Sequence, residues 1–219
     1  MPAHSAAALL FDMDGTLIDS HVAVESIWAI WCERHGLDLL EVIRVCHGTR
    51  TEDTVRLIAP HLDTAAEVAW LEALEAEVVD GQVALPGSLP LLQALPASRW
   101  AVATSACDAV ARMRFDHCGL PLPQVLVTAE LVEHGKPAPD PYLLAAQRLG
   151  VAVRDCIVFE DAAAGLASAL AAGCRVVLVG NHVPAQEGVI ARIADYSAVR
   201  WDEATGMLLL PDDTPAIAA

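Results

Sequence analysis

The chain has 219 residues, enough for one domain with a substantial core or for a core carrying a smaller insert. Its apolar fraction of 55% excludes intrinsic disorder, and 13 basic against 29 acidic residues, a formal net charge of −16, argues against a nucleic-acid partner. A mean hydropathy of +0.43 suggests a membrane protein. The apolar residues fall in short runs, however, and no uncharged stretch reaches the roughly 18 residues that a spanning helix needs.

The N-terminus carries no basic region, and its first apolar run stops at Asp12, so no signal peptide is read and a cytoplasmic location is expected. Six cysteines without a CxxC pair are expected to be buried, reduced thiols. The first predicted strand is Ala6 to Phe11, a continuous apolar run of the kind found in parallel sheets covered on both faces. From Ser20 to Gln82 no strand is read. Val24, Ile27, Trp28 and Trp31 fall at helical spacing, with Gly36 as the stop. Val68, Leu71, Leu74 and Val78 form a second stripe, and Glu67, Glu72, Glu75 and Glu77 are taken as its solvated face. Trp28 and Trp31 are expected in the core of this helical segment rather than facing a substrate.

Strands are then predicted at Trp100–Ala103, Val125–Val127, Cys156–Phe159 and Arg175–Val179. They alternate with helical patterns at Leu89–Leu95, Ala106–Cys118, Tyr142–Leu149 and Ala162–Ala172. That rhythm predicts right-handed crossovers and an α/β fold: a doubly wound, Rossmann-like parallel sheet. Residues 20–82 are expected to form an inserted helical-bundle cap, with residues 1–19 and 83–219 forming the core. Such an insert lies over the carboxyl ends of the strands, where open α/β sheets bind ligands. The stretch from Pro211 to Pro215 is expected to fray.

Asp12 and Asp14 stand two apart on the exit from the first strand, so their side chains can project the same way, and Gly15 permits a tight turn. Two acids crowded at a strand end repel each other, and a divalent cation is the usual remedy. Lys136 is the single lysine beside twelve arginines, in a Gly-Lys-Pro turn before a predicted helix.

The run Phe11-Asp12-Met13-Asp14-Gly15-Thr16-Leu17-Ile18-Asp19-Ser20 resembles the first signature of the haloacid dehalogenase superfamily phosphatases. Ala103-Thr104-Ser105-Ala106, Gly135-Lys136-Pro137-Ala138-Pro139-Asp140-Pro141-Tyr142 and Phe159-Glu160-Asp161-Ala162-Ala163-Ala164-Gly165 resemble the second, third and fourth motifs, in order across about 180 residues. The resemblance implies that Asp12 is the nucleophile and becomes an aspartyl phosphate, while Asp14 serves as general acid and then base. It implies that Thr104 and Ser105 cradle the phosphoryl group and that Lys136 neutralises it. Mg²⁺ would be held by Asp12, the backbone carbonyl of Asp14, and Asp161. Glu160 is expected to support these ligands more than to bind the metal itself.

Departures from related families narrow the activity. Haloacid dehalogenases lack the second aspartate, which is present here as Asp14. Phosphonatases need a further cap lysine, for which this chain has no candidate. β-Phosphoglucomutases carry a cap histidine and an arginine at positions that align with Val24 and Thr51, although His21 stands near enough to substitute. The segment His47-Gly48-Thr49-Arg50-Thr51 is similar to the cap of glycerol-phosphate and 2-deoxyglucose-6-phosphate phosphatases. A Mg²⁺-dependent phosphomonoesterase acting on a small phosphorylated sugar or polyol is therefore expected, with His47 and Arg50 meeting the leaving group. The alternative for this segment is that Thr51 caps a helix and Arg50 pairs with Glu52 or Asp53 on the surface. A sugar-phosphate mutase is the alternative enzyme, and a catalytically idle binding protein the remaining one. A monomer or weak dimer is expected, without nucleic-acid or membrane partners.

Overall fold

The computed structural model describes residues 1–211; most of the stretch expected to fray, from Asp212 onward, lies outside the described residues. In chain order, β1 (Ala3–Ser5), β2 (Ala8–Phe11) and β3 (Ile18–Asp19) lead into four helices. These are α1 (His21–His35), α2 (Leu39–Cys46), α3 (Thr51–Ile58) and α4 (Thr64–Glu77). There follow β4 (Val83–Ala84), α5 (Ser88–Ala94), β5 (Trp100–Ala103), α6 (Asp108–His117), β6 (Leu126–Val127) and α7 (Asp140–Leu149). The chain continues with β7 (Cys156–Glu160), α8 (Ala163–Ala171), β8 (Arg175–Val179), β9 (Val189–Ile193), β10 (Arg200–Asp202) and β11 (Met207–Leu209).

Six strands form one parallel sheet in the order β6-β5-β2-β7-β8-β9. The continuous apolar runs are explained by burial on both faces. Leu9, Phe11, Ile157 and Phe159 pack on one side with helices α5 and α6. Ala8, Leu10, Cys156 and Val158 pack on the other with α7 and α8. Phe11 and Phe159 stack across adjacent strands with ring centroids 4.9 Å apart. The chain moves outward from β2 to β5 and β6, then returns to its other side at β7. The carboxyl end of β2 is therefore the topological switch point, the position that favours a ligand site.

Three features differ from the sequence reading. The sheet has a sixth strand, β9, whose burial alternates along Val189–Ile193, as befits an edge strand half open to solvent. β1, β11 and β10 form a small antiparallel sheet of three-residue strands, too short for periodicity to reveal. The first strand of the main sheet begins at Ala8 rather than Ala6, because Ala3–Ser5 pairs instead with β11.

Helices α1 to α4 build a separate apolar cluster around Ile27, Trp28, Trp31, Val42, Val55 and Leu71. Gly36, in the left-handed conformation at φ 67°, ends α1. Asp38 and Asp63 cap α2 and α4 through backbone amides. The ends of this helical segment leave and re-enter the sheet domain side by side, because β3 and β4 pair antiparallel, Ile18 opposite Ala84.

The acidic face expected on α4 needs correction. Glu67 is buried and accepts hydrogen bonds from Trp31 Nε1 and His35 Nε2, both at 2.9 Å. Although burial opposes its ionisation, these two partners hold the carboxyl below its ordinary range. Glu75 pairs with Arg114 of α6. Two residues taken for solvated charges thus bind the helical segment together and to the sheet domain. Among the described residues all six cysteines are free, four of them buried, and no helix is long and apolar enough to cross a membrane.

Candidate active site

Strand β2 ends at Phe11 and delivers Asp12 to the switch point, where its amide donates to the carbonyl of Phe159 on β7. The chain then turns back on itself: the amides of Leu17 and Ile18 both donate to the carbonyl of Met13. Gly15 sits inside this turn at φ 73°, and a Cβ there would lie 2.1 Å from Asp161 Oδ2. Glycine is therefore required twice, for the backbone conformation and for the approach of Asp161. Thr16 Oγ1 donates to Asp161 Oδ1 at 3.0 Å, tying the turn to the end of β7.

Beneath Asp12 lies a buried charge cluster. Lys136 Nζ donates to Asp12 Oδ1 and to Glu160 Oε1, both at 2.6 Å, and all three side chains are shielded from solvent. Tyr142 donates its hydroxyl to Glu160 Oε1 at 2.6 Å, and the amides of Asp161 and Ala162 donate to Glu160 Oε2. Glu160 is thus fully committed to holding Lys136 and the strand end. Gly165 makes room for it, since a Cβ there would lie 1.7 Å from Glu160 Oε1. Burial, joined by Glu160 and Asp161, pushes Asp12 well above the ordinary carboxylate range, against the pull of Lys136. Lys136 is driven upward in turn, because Asp12 and Glu160 outweigh its burial.

The carboxylate oxygens of Asp12, Glu160 and Asp161 lie within 4.8 Å of one another. Three buried acids facing one lysine carry an excess of negative charge, and their donors are the hard oxygens that divalent cations prefer. The residues present therefore fit a divalent metal. With Glu160 committed elsewhere, Asp12 and Asp161 are the carboxylates that remain to hold it.

The outer wall is built by both parts of the chain. Asp14 accepts from Ser20 Oγ at 2.7 Å and from Arg114 Nη1 at 2.6 Å. Arg114 is buried and also reaches Glu75 Oε2 on α4 at 3.2 Å through Nη2. Burial pushes Glu75 up to about 7 despite Arg114. Thr104 and Ser105 follow β5. The Thr104 hydroxyl accepts from the Ala106 amide, and Ser105 Oγ donates to the carbonyl of Gly48 at 2.8 Å. His21 places Nε2 3.3 Å from Asp161 Oδ2, stacks on His182 and adjoins His47. Asp161 draws the His21 pKa upward, whereas burial and His21 lower that of His47.

Asp12, Asp14, Thr104, Ser105, His47 and Asp161 all line one cleft of about 60 Å³, and Lys136 backs it from beneath. Trp28 also touches the cleft while remaining in the helical core, and Trp31 is wholly buried. Arg50 is not brought to the cleft. Its Nε donates to Asp53 at 2.6 Å, and Nη1 reaches the carbonyls of Val132 and Glu133. It lines an adjoining cavity of about 400 Å³ instead.

The sequence reading gave no role to Arg114, nor to Tyr142 at the end of the third motif, and took Glu75 for solvated surface. A signal existed for Arg114: it shares a helical face with Val110, Ala111 and Phe115, all buried. A charge on an apolar face asks for a buried partner. Glu75 gave the same signal, since it shares the face of α4 with Val68, Leu71 and Val78, but it was read with the neighbouring glutamates as solvated.

A family model described as a haloacid dehalogenase-like hydrolase matches residues 6–173. Hexitol phosphatase A of Escherichia coli strain K12 is 49% identical over 175 residues, covering 78% of this chain and 81% of the relative. Glycerol-1-phosphate phosphohydrolase 2 of Saccharomyces cerevisiae is 37% identical over 185 residues, covering 78% and 73%. The β-phosphoglucomutase structure from Clostridium difficile, at 19% identity, shares the fold with a TM-score of 0.76 over 88% of this chain and 92% of that one. The chain belongs to the haloacid dehalogenase-like hydrolases.

Proposed function

We propose that the protein is a Mg²⁺-dependent phosphomonoesterase that hydrolyses a small phosphorylated sugar or polyol. The observation that carries this reading is Asp12, set at the switch point against Lys136 and with Asp14 two residues away on the same cleft. Asp12 attacks phosphorus through its carboxylate and forms an aspartyl phosphate, and the bond to the leaving oxygen breaks. Asp14, across the cleft, gives that oxygen its proton and then takes one from the water that releases phosphate. Thr104 and the Ser105 amide receive the phosphoryl oxygens at the end of β5, and Lys136 offsets the charge on Asp12. The metal, held by Asp12, Asp161 and the Asp14 carbonyl, supplies charge neutralisation at the phosphoryl group when bound.

The substrate class rests on the named activities of the relatives, hexitol phosphatase and glycerol-1-phosphate phosphohydrolase. In this reading residues 20–82 act as a cap over the remainder of the described chain. His47 faces the leaving group, while Arg50, pinned to Asp53 and to the Val132–Glu133 backbone, seats the cap rather than touching substrate. Release of orthophosphate from a panel of hexitol, glycerol and hexose phosphates, with Mg²⁺ and with chelator, tests the proposal. Retention of the phosphoryl group as an isomeric sugar phosphate would point to a mutase. No turnover of any ester would refute the enzyme reading.

A further inference from the structure

The phosphoryl cradle reads a group that every phosphate ester shares, so selectivity has to come from the wall beyond it. That wall is formed where α4 meets α6. Here Arg114 is the cation that reaches the cleft from α6, and its two Nη atoms are already engaged by Asp14 at 2.6 Å and Glu75 at 3.2 Å. The adjoining cavity of about 400 Å³ shares Thr51, Glu75, Ser105 and Ala106 with the cleft, and so gives a leaving group its room to extend. Glu72, Glu52, which pairs with Arg56, and Glu130, which accepts from the Asp108 amide, line it further, and Arg50, its cation, is bound to Asp53. A leaving group moving outward from phosphorus therefore meets four carboxylates and two guanidinium groups already paired with carboxylates.

We propose that Glu75, by engaging Arg114, sets the charge selectivity of the site. An uncharged, hydroxyl-bearing leaving group is accepted, and one carrying a second phosphate or a carboxylate is rejected. Hydroxyls find carboxylate acceptors along this wall. A second anion finds like charge and guanidinium groups that carboxylates already hold, and so loses its hydration with little replacement. The inference rests on the phosphomonoesterase reading and names the leaving-group class within it.

The test uses the full chain with Mg²⁺ at pH 8. Glycerol 3-phosphate and 3-phosphoglycerate are a matched pair, since they differ only by CH₂OH against carboxylate. The wild type should favour glycerol 3-phosphate by at least about 100-fold in kcat/KM. Glu75→Gln, which frees one side of Arg114 and removes a like charge, should narrow that ratio by at least about 10-fold. Glu130→Gln, in the adjoining cavity, reads the same ratio should Glu75→Gln fail to fold, and should narrow it in the same direction. Equal wild-type turnover of both esters overturns the inference and leaves the phosphatase reading intact, as does a ratio unmoved in the folded Glu75→Gln protein. A wild type that cleaves p-nitrophenyl phosphate but no sugar or polyol phosphate overturns the substrate class itself.

Discussion

Replacing Lys136 by Met keeps the unbranched stem of the side chain, one heavy atom shorter, and deletes its charge. In the native structure Nζ donates to Asp12 and Glu160 at 2.6 Å each, and Lys136, Asp12 and Glu160 are 1%, 3% and 0% exposed. The variant therefore leaves two buried carboxylates facing one another without the ammonium that joins them. Removing one partner from a buried pair costs about 3–5 kcal/mol. In a domain of this size that corresponds to a Tm lower by roughly 6–20 °C. Activity should fall further, by about 1,000-fold or more, because charge developing at phosphorus loses its nearest protein cation. Lys136→Arg should not restore it, since the ammonium sits 5.1 Å over the Tyr142 ring between two carboxylates, a place shaped for a compact head. The assays are urea unfolding, read by linear extrapolation, and orthophosphate release from glycerol 1-phosphate. A Lys136→Met protein within about 1 kcal/mol of wild type, keeping more than a tenth of its activity, would refute the reasoning.

Asp161→Asn should raise the Mg²⁺ concentration needed for half-maximal activity by about 10- to 100-fold. Ca²⁺, larger and looser in coordination, should not replace Mg²⁺ in the wild type; full activity in excess chelator would contradict both. Glu67→Ala leaves Trp31 Nε1 buried without an acceptor and should cost about 1–3 kcal/mol at pH 7. The carboxyl is held below its ordinary value in the folded state, so its contribution is present above the unfolded value of 4.5 and is lost as pH falls through the folded one. The gap between wild type and Glu67→Ala should accordingly narrow in unfolding titrations at acid pH, and a constant gap would argue against an ionised Glu67. Arg50→Ala should lower kcat/KM about equally, by about 10-fold, for a polyol phosphate and for p-nitrophenyl phosphate. A loss confined to the polyol ester would make Arg50 a substrate contact after all.

The central strands and the four motifs were legible because their signals are local. Burial on both faces writes an unbroken apolar run, and a strand-end turn needs its acids and its glycine within four residues, Asp12 to Gly15. The helical segment was legible in the stripe from Val24 to Trp31. β9 was not, since an edge strand alternates like any half-exposed segment and Arg192 interrupts it. The meaning of Glu67 and Glu75 was hidden for another reason. Both stand four residues from Leu71 on the apolar face of α4, but the run of glutamates around them makes that face read as solvated, and packing of α4 on α1 and α6 supplies their partners. Arg50 stood between two readings, a leaving-group contact or a pair with Glu52 or Asp53. The structure has the pair with Asp53, and Nη1 turned to the Val132–Glu133 backbone, a partner more than eighty residues away that no local pattern announces.

The central claim is that Asp12 is the group that takes the phosphoryl unit from a sugar or polyol phosphate. Asp12→Asn is the most direct probe, because it keeps the shape and hydrogen-bonding reach of the side chain while removing the nucleophilic oxygen. Orthophosphate release from hexitol 6-phosphate and glycerol 1-phosphate, with saturating Mg²⁺ and a circular dichroism spectrum to confirm folding, is the measurement. The account predicts robust release by the wild type and a loss of at least about 10,000-fold in kcat for the folded variant. A folded Asp12→Asn protein that turns over within about tenfold of wild type would contradict it.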